Sequence, residues 1–388
     1  MNVVILGGAG KIAPASAAFL TRQKDIRKVV LADINLEGAR SLANRLGEKV
    51  VAEFADFNDH SSLVRIFKDA DVVLNSTVYY SNLKVMEACL EAKTHYVDQG
   101  GLFHMAKKQA ERDKDFRETG LIALSGMGSA PGLVNIMARY GADRLDTIDY
   151  IRMRAGCVDI GKSSAPLTAA YALDTIIDEF TIPSQVFEDG EWKEVPPLSG
   201  EEEITFPEPV GTMRCYYTLH TEVFQLPNSY REKQVREVNW KLGFPPDFMT
   251  KLKFLCDLGF DKEELEVAGG KVSPRALLRN LVSGFEKENS EAEPSDHEAY
   301  RVNVKGEEDG KEIEYCVEFL VHPDKKLKLG AETLCTGVPA GWAAWLIARG
   351  DIGERGVLPP ERCIDPENCF RMMAGWDMPV WWTRKEYF

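Results

Sequence analysis

The chain has 388 residues, 44% of them hydrophobic and 28% charged, with a net charge of −14. That length accommodates two domains with separate cores, and the composition suits a soluble globular protein. The negative balance argues against a nucleic-acid or anionic-membrane partner, and no apolar run approaches the roughly 20 residues that span a bilayer.

Met1 leads straight into the apolar run Val3–Leu6, so a cytoplasmic location without a leader segment is expected. The run reads as a buried parallel strand, followed by Gly7-Gly8-Ala9-Gly10-Lys11-Ile12-Ala13. Gly8, Gly10 and Ala13 fit the dinucleotide fingerprint G-x-G-x-x-A opening a helix. Gly7 and Gly8 serve the turn, Gly10 lets backbone approach a pyrophosphate, and Lys11 adds positive charge. With Ile12 they form the predicted phosphate-binding set. A second strand, Val29–Asp33, ends in the acid expected on the ribose. Asp33 would accept the ribose hydroxyls and repel a 2′-phosphate, which predicts NAD, with NADP disfavoured.

Further strands are expected at Val50–Asp56, Asp71–Ser76, His95–Asp98 and Leu121–Ser125, with helices clearest at 82–92 and 103–118. Six strands with helical crossovers make a doubly wound parallel Rossmann sheet, an α/β fold. Ligands bind outside the carboxyl ends of such strands. This places Asn75, Ser76 and Thr77 at the nicotinamide ribose and Asp56 at the adenine amino group. Tyr79, in the same loop, and Asp98, before Gly100-Gly101, become candidate catalytic groups.

Beyond Gly132 the pattern changes. Strands are expected at 147–154, 213–222, 235–242, 300–305 and 313–321, interrupted by helices at 166–180 and 273–285. Gly306–Lys311 reads as a hairpin turn and 287–296 as an exposed loop. The result is an inserted α+β second domain on a mixed or antiparallel sheet. Thr336-Gly337-Val338-Pro339 suits the first turn of a helix that packs back on the nucleotide domain. The predicted division is 1–130 plus 336–388 for the nucleotide domain and 131–335 for the other. The eight cysteines show no C-x-x-C pair and the histidines no paired spacing, so no metal site is predicted.

The motifs Gly7–Ile12, Asp71–Asn75, Tyr96–Gly101, Ala130–Gly132, Leu219–Glu222, Thr336–Pro339 and Arg355–Glu361 resemble the saccharopine dehydrogenase superfamily, in particular its lysine 6-dehydrogenase-like branch. The resemblance implies a split nucleotide domain, a central domain for substrate binding and dimerisation with a homodimer through its sheet, and hydride transfer at a carbon–nitrogen bond. The fungal G-x-D-P-G is replaced by Gly128-Ser129-Ala130-Pro131-Gly132, without its acid.

His220 and Glu222 fall at i and i+2 of an expected strand, hence on one face, as an acid–base and amine-binding pair. Lys241 and Arg275 are candidates for a substrate carboxylate. The expected reaction is NAD-dependent oxidation of an amino acid or polyamine-like amine, first of all deamination of a lysine-type primary amine. The alternatives are an NAD(P)H-dependent imine reductase of saccharopine, opine or carboxynorspermidine type, and a non-catalytic nucleotide-binding homologue. A lysine-type amine has a pKa near roughly 10.4, so the site must supply a base or desolvate the amine.

Overall fold

The computed structural model of the chain describes residues 1–161, 166–288 and 293–388. Six strands alternate with helices in its first third: β1 (Asn2–Leu6), β2 (Lys28–Asp33), β3 (Val50–Phe54), β4 (Val72–Asn75), β5 (His95–Asp98) and β6 (Ile122–Leu124). Val3, Ile5, Val29, Leu31, Val72 and Leu74 are fully buried, as are Val4, Val73 and Tyr96 on the opposite face. Burial on both faces is why continuous apolar runs encode these strands. They lie parallel in the order β3-β2-β1-β4-β5-β6, and Gly356–Leu358 adds a seventh strand beside β6. The expected helix over 103–118 is two, Phe103–Ala110 and Asp113–Glu118.

In the second sheet Thr147–Asp159 pairs in parallel with Glu237–Gly243 and antiparallel with Asp296–Glu308. Lys311–Val321 and Val380–Tyr387 follow on one side, Thr212–Tyr217 and Glu202–Thr205 on the other. The hairpin turn is tighter than expected. Asp309-Gly310 makes it alone, with φ of 52° and 74°, the conformation an Asp-Gly pair favours.

Several expectations need correction. The strand expected over 213–222 ends at Tyr217, and the helix Glu222–Ser229 follows. The helix expected over 166–180 is confined to Leu173–Thr181. The expected loop over 287–296 lies partly outside the described residues, and its flanks belong to the helix Pro274–Glu288 and the strand from Asp296.

Pro339 sits inside the helix Ala331–Arg349 instead of opening it. This helix crosses the one after the glycine turn, Ala13–Thr21, so closely that a Cβ at Gly337 would lie 2.7 Å from Ala15 Cβ. One at Gly341 would lie 2.8 Å from the Ser16 carbonyl oxygen. Close packing of backbone on backbone, rather than a helix start, accounts for the small residues here. The tail also divides: Gly356–Leu358 joins the first sheet, whereas Val380–Tyr387 joins the second, so 336–388 is not one unit. Among the described residues no helix is long and apolar enough to cross a membrane.

Candidate active site

A cavity of about 730 Å³ opens at the carboxyl ends of β1–β6 and runs into the second domain. Its outer part is the glycine turn. Gly7 has φ +87°, and a Cβ there would lie 2.6 Å from the Ser76 carbonyl oxygen; at Gly10 it would lie 3.1 Å from that of Gly7. The backbone can thus approach a bound phosphate, and the helix from Ala13 turns its N–H-bearing start to the same place. Gly10, Lys11, Ile12, Asp33, Asp56, Ser76 and Thr77 all line the cavity. Asp33 accepts from the N–H groups of Ala9 at 2.9 Å and Asn35 at 2.7 Å, which fixes its carboxylate at the end of β2. A carboxylate has about four acceptor positions, so capacity remains for ribose hydroxyls. Glycine cradle, helix start and acid together fit a dinucleotide.

Gly8 and Asn75 act behind the wall. A Cβ at Gly8 would strike Leu31 at 2.7 Å, so this glycine packs the turn on β2. Asn75 receives the Thr77 hydroxyl at 2.7 Å and donates to Asn82 at 2.9 Å, shaping the loop after β4.

The inner part of the cavity lies in the second domain. His220 and Glu222 do meet, with Nδ1 2.6 Å from Glu222 Oε2, but not on a strand. His220 stands in the link after Tyr217, and Glu222 opens the next helix. That helix is anchored to the first sheet: Thr221 donates to the Gly101 carbonyl and Gln225 to that of Ser125 at 2.9 Å. The imidazole stacks on Trp240, centroids 4.5 Å apart, and its Nε2 points to Glu179 Oε1 at 3.8 Å. Burial opposes charging of His220, but the Glu222 and Glu179 carboxylates outweigh it and raise its pKa. Glu179 also accepts from the Tyr171 hydroxyl at 2.6 Å. Burial pushes its carboxyl up to about 7.

Beside this group, Tyr300 donates to Glu298 at 2.5 Å and Thr336 to Glu332 at 3.0 Å. Both acids are pushed up, by burial first and by each other's proximity in the case of Glu332. Glu298, Glu332 and Cys335 place one ligand atom each within 4.8 Å of one another, an arrangement that the spacing of cysteines and histidines did not reveal.

Sequence reasoning missed Tyr171, Glu179, Glu298, Tyr300 and Glu332. One signal was available: Glu298, Tyr300, Val302 and Val304 alternate on the inward face of a strand, so one inward position carries an acid.

Besides Gly8 and Asn75, four candidates do not line the cavity: Glu222, which meets it only through His220, and Asp98, Lys241 and Arg275. Asp98 is 1% exposed and accepts from Tyr96, Gln109, Gly100 and Gly126, which ties the loops after β5 and β6 together. It is a staple, not a base at the substrate. Asp98→Ala is expected to destabilise the fold by about 3 kcal/mol or more in urea titration, since it leaves four donors unsatisfied. Lys241 is paired with Glu202 at 2.7 Å and sits over the Tyr217 ring. Arg275 is paired with Asp178 at 2.8 Å, an acid that also accepts the Tyr79 hydroxyl at 2.8 Å. Tyr79 lines the cavity, and burial together with Asp178 keeps its hydroxyl protonated far above neutrality.

Residues 3–124 match the saccharopine dehydrogenase NADP binding domain and residues 128–376 the saccharopine dehydrogenase C-terminal domain. The chain belongs to the saccharopine dehydrogenase family. It is therefore a dehydrogenase that uses a nicotinamide dinucleotide. Among relatives, carboxyaminopropylagmatine dehydrogenase of Synechocystis sp. is 25% identical, covering 98% of this chain and 97% of its own. Carboxynorspermidine synthase of Vibrio cholerae is 27% identical over 89% of this chain and 86% of its own. The apo saccharopine dehydrogenase (L-Glu forming) of Saccharomyces cerevisiae shares the fold of the family member described here, with TM-score 0.74, 16% identity and 99% of both chains covered.

Proposed function

We propose that this saccharopine dehydrogenase family member reduces an imine formed between a polyamine-like amine and a carbonyl compound, giving a secondary amine. The observation that carries this reading is the inner wall of the cavity. Glu179, Glu298 and Glu332 line it together with Tyr171, Trp240 and Tyr300, around the imidazole of His220. Buried carboxyls beside aromatic faces suit the ammonium or guanidinium groups of a cationic substrate. The names of the relatives, carboxyaminopropylagmatine dehydrogenase and carboxynorspermidine synthase, point to the same substrate class and to C–N bond formation. Deamination of a lysine-type primary amine, the first expectation from the sequence, draws no support from them.

The dinucleotide supplies the hydride for the imine carbon when bound. The chain's residues supply the rest. Glu179, protonated near neutrality, delivers a proton to the imine nitrogen, so that the C=N double bond becomes a C–N single bond with new C–H and N–H bonds. His220 and Glu222 return a proton to it. Trp240 and Tyr300 wall the site, and the anchored helix from Glu222 holds the relay at the carboxyl ends of β5 and β6.

The assay is NADH consumption by mixtures of diamines or agmatine-like amines with aldehydes, against NAD⁺ reduction by the amines alone. Consumption with mixtures is expected; NAD⁺ reduction by lysine-type amines alone would return the deaminase reading.

Asp33 favours NAD although the family domain is described by NADP. Asp33→Ala is expected to raise KM for NADH by about tenfold or more and to narrow the preference over NADPH, since the ribose loses a charged hydrogen-bond acceptor. Parallel kinetics with both cofactors check this.

A further inference from the structure

We propose that Asp174 and Arg279, carried by two helices of the second domain, bind the adenosine half of the dinucleotide. Both residues line the cavity. Asp174 lies in the helix Leu173–Thr181 and Arg279 in Pro274–Glu288, and Arg279 Nη1 donates to Asp174 Oδ2 at 2.5 Å. The other oxygen, Oδ1, is buried and finds no hydrogen-bond partner among the described residues, and Asp174 as a whole is 5% exposed. A buried carboxylate oxygen left in that state calls for a donor from a ligand.

The position of the pair indicates which ligand. Asp174 and Arg279 both act on the hydroxyl of Tyr80, whose ring lies 6.2 Å from that of Phe57, the residue after Asp56 beyond β3. The β1–β3 half of the sheet carries Asp33 and belongs to the adenosine side. The neighbouring Tyr79 instead faces Gly101 and His104 beyond β5. A second contact joins the domains nearby: Lys11 of the glycine turn donates to the Ala169 carbonyl at 2.7 Å, just before the helix of Asp174. The chemistry suits adenosine. Asp174 Oδ1 accepts from a hydroxyl or amino group, and the planar guanidinium of Arg279 stacks on a ring or meets a phosphate.

The test uses the full chain with Asp174→Asn and, separately, Arg279→Met, titrated with NADH, ADP-ribose and reduced nicotinamide mononucleotide. Each variant is expected to bind NADH and ADP-ribose about tenfold more weakly or worse, and the mononucleotide as the parent does. Unchanged affinity for ADP-ribose overturns the proposal. So does an equal loss for all three ligands, which marks a general disturbance of the fold. A raised KM for the amine with ADP-ribose binding intact also overturns it, and assigns the pair to a zwitterionic group of the substrate. ADP-ribose is not an amine, so this outcome is independent of the imine-reductase reading.

Discussion

Glu179→Gln is expected to slow imine reduction by about 10²–10³-fold, because it removes the group that gives the imine nitrogen its proton. Gln keeps the shape and still receives the Tyr171 hydroxyl, so binding of NADH is expected to stay unchanged. The pH profile separates a proton donor from a merely structural acid. Burial raises Glu179 to about 7, so the protonated form prevails below that pH, and reduction falls as pH rises through it. In the oxidative direction the same carboxyl must be deprotonated, and the limb runs the other way. Because Glu179, His220 and Glu222 are linked, the limb belongs to the set. A variant that keeps the parental limb near 7 and most of the rate would remove Glu179 from the mechanism.

Glu332→Gln is expected to weaken the enzyme and strengthen the fold. The amine loses half of a buried carboxyl pair, and its KM rises by about 30-fold or more, the usual effect of deleting one partner of a desolvated charge contact. Stability moves the other way. Burial, and then the neighbouring Glu298 carboxylate, raise the folded pKa of Glu332 well above the 4.5 of a free glutamate. A carboxyl with a raised folded pKa stabilises fully below its unfolded value, and that contribution is lost as pH climbs toward the folded one. The parent therefore carries a growing penalty above about pH 4.5, which Gln does not share. Calorimetry is expected to show a Tm gain of about 3 °C for the variant at pH 8 and a smaller one at pH 5. A lower Tm at pH 8 with unchanged KM would make the pair a structural element only.

The first sheet was legible because its signals are local: uninterrupted apolar runs, glycines where a Cβ has no room, and Asp33 at a fixed distance from the turn. His220 and Glu222 were legible as neighbours, but for a reason that did not hold. Two residues apart, a strand face and a helix start both bring them together. Lys241 and Arg275 misled because a basic residue says nothing about which acid will claim it; Glu202 and Asp178 do so here. Glu179 was hidden by its surroundings, since Asp174-Thr175-Ile176-Ile177-Asp178-Glu179 reads as an ordinary amphipathic helix. Only packing shows that Asp174 and Asp178 meet Arg279 and Arg275 while Glu179 turns inward. Glu298 and Glu332 are separated by more than thirty residues of chain. No spacing rule joins them; the crossing of the helix Ala331–Arg349 over the strand Asp296–Glu308 does.

The central step is reduction of the C=N bond of an imine to the C–N single bond of a secondary amine. Its most direct test is product analysis by mass spectrometry after incubation with deuterium-labelled NADH, a diamine or agmatine-like amine, and an aldehyde. The account predicts a secondary amine carrying one deuterium on the carbon next to the new nitrogen bond. Ammonia release from the amine alone with NAD⁺, and no labelled secondary amine from any mixture, would contradict it.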